Sequence, residues 1–108
     1  MLYTNEALGH FAKDPAVVYL ANRYLMYYSV KHDDGRFGVG IATSADMENW
    51  QPCGEVPLTQ DCERNGIAAP GAIVLNGRVH LFYQTYGNWE HDALCHAVSE
   101  DGLTYTFK

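Results

Sequence analysis

With 108 residues the chain has room for at most one ordinary domain, and 47% hydrophobic with 19% charged residues is the content of a globular chain in water. Its formal charge is −6 and its seven Lys and Arg residues are scattered, which removes the basic footprint that nucleic acids and anionic membrane surfaces require. No apolar run approaches the ~20 residues of a membrane span, so neither nucleic acid nor membrane is an expected partner.

In chain order, residues 1–13 begin polar and end in Gly9-His10-Phe11-Ala12-Lys13. Asp14-Pro15 opens a strand over about 16–20, the Ala21-Asn22 turn follows, and Arg23 to Val30 reads as an inner strand apolar on both faces. The polar loop 31–36, with Gly35, leads to a third strand, Phe37 to Thr43. Ser44-Ala45-Asp46 is a turn, with one helical turn at most before Trp50, which begins a fourth strand reaching about Val56. A polar linker over 57–69 precedes strands at 70–75, 78–85 and 93–98, the first two joined by an Asn76-Gly77 hairpin. Ser99 to Gly102 is a turn, and Tyr105 begins the last strand.

The two halves repeat each other at a constant offset of 55 without a gap. Pro15, Leu20, Arg23 and Tyr28 align with Pro70, Leu75, Arg78 and Tyr83; Ala42, Ser44 and Asp46 align with Ala97, Ser99 and Asp101. Two four-stranded antiparallel meanders in tandem are the pattern of consecutive blades of a β-propeller. The same strands also fit one eight-stranded sandwich or barrel. Where the copies differ is informative: Asp14 before the first repeat corresponds to Ala69 before the second.

At Lys13-Asp14-Pro15-Ala16-Val17-Val18, at Arg23 to Ser29 (RYLMYYS) and at Gly40 to Trp50 (GIATSADMENW), the chain resembles the five-bladed propeller glycoside hydrolases, family 43 and relatives including families 32, 62, 68 and 117. Ala69-Pro70-Gly71-Ala72-Ile73, Leu81-Phe82-Tyr83 and His96 to Gly102 carry the likeness into the second half, so it spans about residues 10–108. It implies a partial propeller: blade 1 over about 14–56, a linker over 57–69 and blade 2 over about 70–108. It implies that Asp14 is a catalytic general base or nucleophile, that two further carboxylates lie on later blades, and that the substrate is a plant or algal oligosaccharide. The chain is then expected to be an N-terminal fragment, inactive by itself. No cofactor is implied.

Glycoside hydrolysis needs one carboxyl to protonate the leaving oxygen and a second to activate water or attack the anomeric carbon. Asp14 is one such group; as a residue alone it also reads as a turn acid before Pro. His10 and Phe11 are candidates for the mouth of the same funnel, and Trp89 is a candidate stacking surface in a loop rich in sugar-compatible groups, with Tyr86, Asn88, His91 and Asp92. No metal site is expected, because His32-Asp33-Asp34 and His91-Asp92 lack the spacing of a zinc or calcium motif. Cys53, Cys62 and Cys95 are odd in number; a Cys53–Cys62 bridge is left open by spacing. The start lacks a secretory leader's basic and apolar segments, and the compartment stays open (cytoplasmic if Met1 is the true start). The alternative is a stand-alone carbohydrate-binding or oligomerising module without catalysis, self-associating through open sheet edges.

Overall fold

The computed structural model describes residues 1–5 and 11–108. Strands β1 (Lys13–Leu20), β2 (Arg23–Lys31), β3 (Phe37–Ser44) and β4 (Gln51–Glu55) form one antiparallel sheet in sequence order. Strands β5 (Ile67–Leu75), β6 (Arg78–Thr85), β7 (Leu94–Ser99) and β8 (Thr106–Phe107) form a second sheet in the same order. Both β1–β2 and β5–β6 connect through two-residue turns with positive φ, Ala21-Asn22 (55° and 63°) and Asn76-Gly77 (54° and 74°). This conformation matches the twist of the flanking strands.

Two expectations are corrected. β1 begins at Lys13 and β5 at Ile67, each three residues before the sequence suggested, because a bulge lets the strand continue upstream of its proline. The segment between the sheets is also no passive polar linker. Its short 3-10 turn, Asp61–Glu63, buries the Glu63 side chain completely. All three cysteines are free thiols, so the Cys53–Cys62 bridge is not formed.

The core lies between the sheets. Leu25, Tyr27, Val39 and Ile41 of the first sheet meet Ile67, Val79, Leu81, Tyr83, Cys95 and Ala97 of the second. In β6 burial alternates strictly, with Val79, Leu81, Tyr83 and Thr85 inside, as a period of two requires. β2 is buried on both faces from Leu25 to Val30, since Met26, Tyr28 and Val30 lie under Tyr3, Ala12 and Trp50.

The sequence repeat is reproduced atom by atom. Ser44 Oγ accepts from Met47 N at 2.9 Å, and Asp46 Oδ1 accepts from Glu48 N at 2.9 Å and Asn49 N at 2.8 Å. Ser99 Oγ accepts from Gly102 N at 2.8 Å, and Asp101 Oδ1 accepts from Leu103 N and Thr104 N at 2.8 Å each. These backbone donors hold both carboxyls well below the ordinary range. Between the depressed folded pKa and the ordinary 3.8, the unfolded chain binds more protons, so stability rises with pH there and falls as pH drops through the folded value. Urea unfolding between pH 5 and pH 2 is expected to show this loss, and Asp101→Asn to flatten it. Equal slopes in the two proteins would count against the assignment.

The second copy of this turn also spaces the sheets. Tyr105 donates to Tyr27 Oη at 2.6 Å, and Tyr27 donates to the Gly102 carbonyl at 2.7 Å. Burial pushes the Tyr27 phenol up to about 12. Arg23 donates to the Asp101 carbonyl at 2.7 Å. Gly102 has φ +82°, and a Cβ there would stand 2.4 Å from Leu25 Cδ1. Gly102→Ala is expected to cost about 2 kcal/mol, a fall in Tm of roughly 10 °C. A melt within 2 °C of the parent would show that the contact yields.

Candidate functional site

Each sheet carries the same backbone irregularity at the head of its first strand. The register slips between Lys13 and Ala16 in β1 and between Ala68 and Gly71 in β5. At the slips Asp14 has φ 57° and Ala69 φ 54°. A residue before proline ordinarily sits in the extended region, and the left-handed one costs a non-glycine residue about 1–2 kcal/mol. Bulges re-aim side chains, and the two are tied together where Ala69 N donates to Ser29 Oγ at 2.7 Å.

Asp14 lines a cleft of about 310 Å³ between the sheets, with Phe11, Lys13, Ser29, Phe37, Ala68, Ala69, Gln84 and Tyr86. Three of these residues make an aromatic wall. Phe37 and Tyr86 have ring centroids 4.4 Å apart at 31°, and Phe11 meets Phe37 edge-on at 5.6 Å. The Lys13 ammonium lies 4.7 Å over the Phe11 ring. Gly66 lets the wall close, because a Cβ there would stand 3.0 Å from both Phe37 N and O, while its carbonyl accepts from Tyr86 N at 2.9 Å. Flat apolar rings beside a carboxylate, an amide and an ammonium suit a polyhydroxylated ligand with one apolar face. Asp14 is exposed and is the one carboxyl among the described lining residues. It can accept a proton or a hydroxyl hydrogen bond; no described residue of the cleft pairs it with an acid.

Of the residues anticipated from sequence, Asp14 and Phe11 come together here. His10 lies outside the described residues. Trp89 stands 90% exposed in the 3-10 turn Trp89–His91, outside the lining of the cleft, while Tyr86 of the same loop is inside it. The loop's other polar groups are committed to its own shape: Asp92 accepts from Thr85 Oγ1 at 3.0 Å and Asn88 N at 3.0 Å, and Asn88 Nδ2 donates to the Cys62 carbonyl at 2.8 Å. His32 is likewise engaged with Glu55, at 2.9 Å. Phe37, Ser29 and Gln84 were not singled out by sequence. A wider cleft of about 500 Å³ lies elsewhere, beside Arg78 and the 99–101 turn, but the Asp101 carboxylate in it is already consumed by backbone donors.

No protein-family model matches the chain. Solved structures do. A glycosyl hydrolase from Bacteroides ovatus is similar over 89% of this chain and 30% of its own, at 19% identity and a TM-score of 0.75. A family 117 glycoside hydrolase produced by the marine bacterium Zobellia galactanivorans is similar over 92% of this chain and 32% of its own, at 18% identity and 0.75. Fructan 1-exohydrolase IIa from Cichorium intybus is similar over 90% of this chain and 20% of its own, at 15% identity and 0.74. The chain has the fold of two blades of a β-propeller glycoside hydrolase. It spans about a third or less of the length of these structures. The two sheets are therefore blade 1 and blade 2, and the cleft lies where their first strands adjoin.

Proposed function

We propose that the chain is the N-terminal two-blade part of a glycoside hydrolase acting on plant or algal oligosaccharides, with Asp14 as general base or nucleophile and the remaining carboxylates supplied by further blades. In this reading blade 1 extends over about residues 14–56 and blade 2 over about 70–108, with β5 starting slightly earlier, at Ile67. The observation that carries it is Asp14 itself, held in a left-handed bulge at the lip of an aromatic-walled cleft. The fold likeness to hydrolases supports the reaction class, and the single carboxyl among the described lining residues supports inactivity of the two blades alone.

The test is to express the protein with whatever coding sequence continues past Lys108 and to assay it on aryl glycosides and oligosaccharides, beside the 108-residue chain. Release of reducing sugar by the longer protein and none by the shorter is expected. No release from any substrate by a folded longer protein would overturn the proposal. A second reading, sugar binding without turnover, is favoured by the Phe11, Phe37 and Tyr86 wall. It predicts saturable oligosaccharide binding by the 108-residue chain that Tyr86→Ala abolishes.

A further inference from the structure

The junction between the two sheets holds a cluster of ionisable groups that does not line the Asp14 cleft. Tyr83 and Cys95 stand directly opposite each other across β6 and β7, both in the core that the two sheets share. Tyr83 donates to Glu63 Oε2 at 2.5 Å. That bond brings the 3-10 turn Asp61–Glu63, and Cys62 with it, down onto this pair. The Cys62 thiol is within hydrogen-bonding reach of the Cys95 thiol. Tyr83 and Cys95 belong to the interface already formed with blade 1, not to the outer face of blade 2.

The two thiols differ in access. Cys62 is exposed, whereas Cys95 is buried. Burial, reinforced by the Cys62 thiol and the Glu63 carboxylate, pushes the Cys95 thiol up to about 11. Cys95 therefore stays protonated at neutral pH and is shielded from reagents, so Cys62 is the first to react. The third cysteine stands apart on β4 of blade 1. Its thiol is 3.5 Å from the Ile41 carbonyl and 3.7 Å from that of Gln51.

We infer that Cys62 and Cys95 form a reversible dithiol–disulfide switch that locks the segment between the blades onto blade 2. With glutathione disulfide as the oxidant, the Cys62 thiolate attacks one reagent sulfur and the reagent S–S bond breaks. One glutathione leaves as thiolate and takes up a proton. Cys95, its proton lost to solvent, then attacks Cys62 Sγ and expels the second glutathione. The protein gives up two protons and two electrons, and one glutathione disulfide becomes two thiols. The bridge also reaches the cleft. Asn88 Nδ2 donates to the Cys62 carbonyl at 2.8 Å, and Tyr86 N donates to the Gly66 carbonyl at 2.9 Å. Oxidation therefore fixes the segment on which the Tyr86 loop rests. The inference rests on the thiol cluster, not on the proposed hydrolase activity.

The test is to equilibrate the 108-residue chain in glutathione buffers of rising oxidised fraction, block the remaining thiols and map the peptides by mass. One product is expected, the Cys62–Cys95 bridge, and reductant should reverse it. Its Tm should exceed that of the reduced chain by roughly 10 °C, since the bridge closes a long loop of the unfolded chain. Amide exchange at Tyr86 should slow by about fivefold on oxidation. Cys62→Ser, at an exposed position, should abolish the product and both shifts, and Cys53→Ser should leave them in place. In urea the shorter Cys53–Cys62 loop should take over, because only chain separation then decides the pairing. Bridges through Cys53 in the chain without urea, a Cys62–glutathione adduct that never closes, or an oxidised form that melts no higher than the reduced one would each overturn the proposal.

Discussion

In the full-length hydrolase proposed above, Asp14→Asn is expected to lower kcat by about 10²–10⁴-fold while leaving Tm within a degree or two. Asn is nearly the same shape, keeps one accepting oxygen, and is among the few side chains at ease in the left-handed region that Asp14 occupies. What it lacks is a lone pair basic enough to take a proton from water, or the charge to attack an anomeric carbon. The aromatic wall of Phe11, Phe37 and Tyr86, proposed to hold the sugar, is untouched, so KM should move little and the loss should fall on the chemical step. Steady-state kinetics on an oligosaccharide substrate, with a parallel melt, give the answer. A variant retaining more than a third of the parental kcat would remove Asp14 from the mechanism.

Glu63→Ala is expected to destabilise the chain by about 3 kcal/mol, a drop in Tm of roughly 15 °C. Glu63 Oε1 accepts from the backbone N–H groups of Thr59 at 2.9 Å and Gln60 at 3.0 Å, and Oε2 accepts from Tyr83 Oη at 2.5 Å. Burial, reinforced by this carboxylate, pushes the Tyr83 phenol up and keeps it a donor. Truncation leaves three donors without their acceptor and a void in a fully buried site. Because this turn fixes the segment that carries Gly66, the Phe37–Tyr86 wall should loosen as well. Glu63→Gln, which keeps an acceptor for the backbone pair, should lose less. Thermal melts of the three proteins test the order; an Ala variant within 3 °C of wild type would show that water replaces the carboxylate at little cost.

The strands were legible in the sequence because their physics is local. Alternation at Val79, Leu81 and Tyr83, the Asn76-Gly77 turn and the two Ser-x-Asp turns each announce themselves within a few residues. The linker misled because one buried carboxylate among polar neighbours looks like any solvated acid; the partner that buries it, Tyr83, lies twenty residues on. The site was legible in part. Asp14 stood out through family resemblance and through its mismatch with Ala69, but the left-handed bulge did not, since the following proline argues for extended backbone. Phe37 and Tyr86 meet because Gly66 permits a close backbone approach, and no local pattern joins positions that far apart.

The bulge at Ala69 has a consequence for how such repeats acquire chemistry. Blade 2 holds the same left-handed residue at the same place as blade 1, with a methyl group where blade 1 has an acid. The bend therefore belongs to the architecture and not to the carboxylate it displays. Because Asp tolerates that conformation better than Ala, a duplicated blade inherits a seat that one amino-acid replacement can occupy.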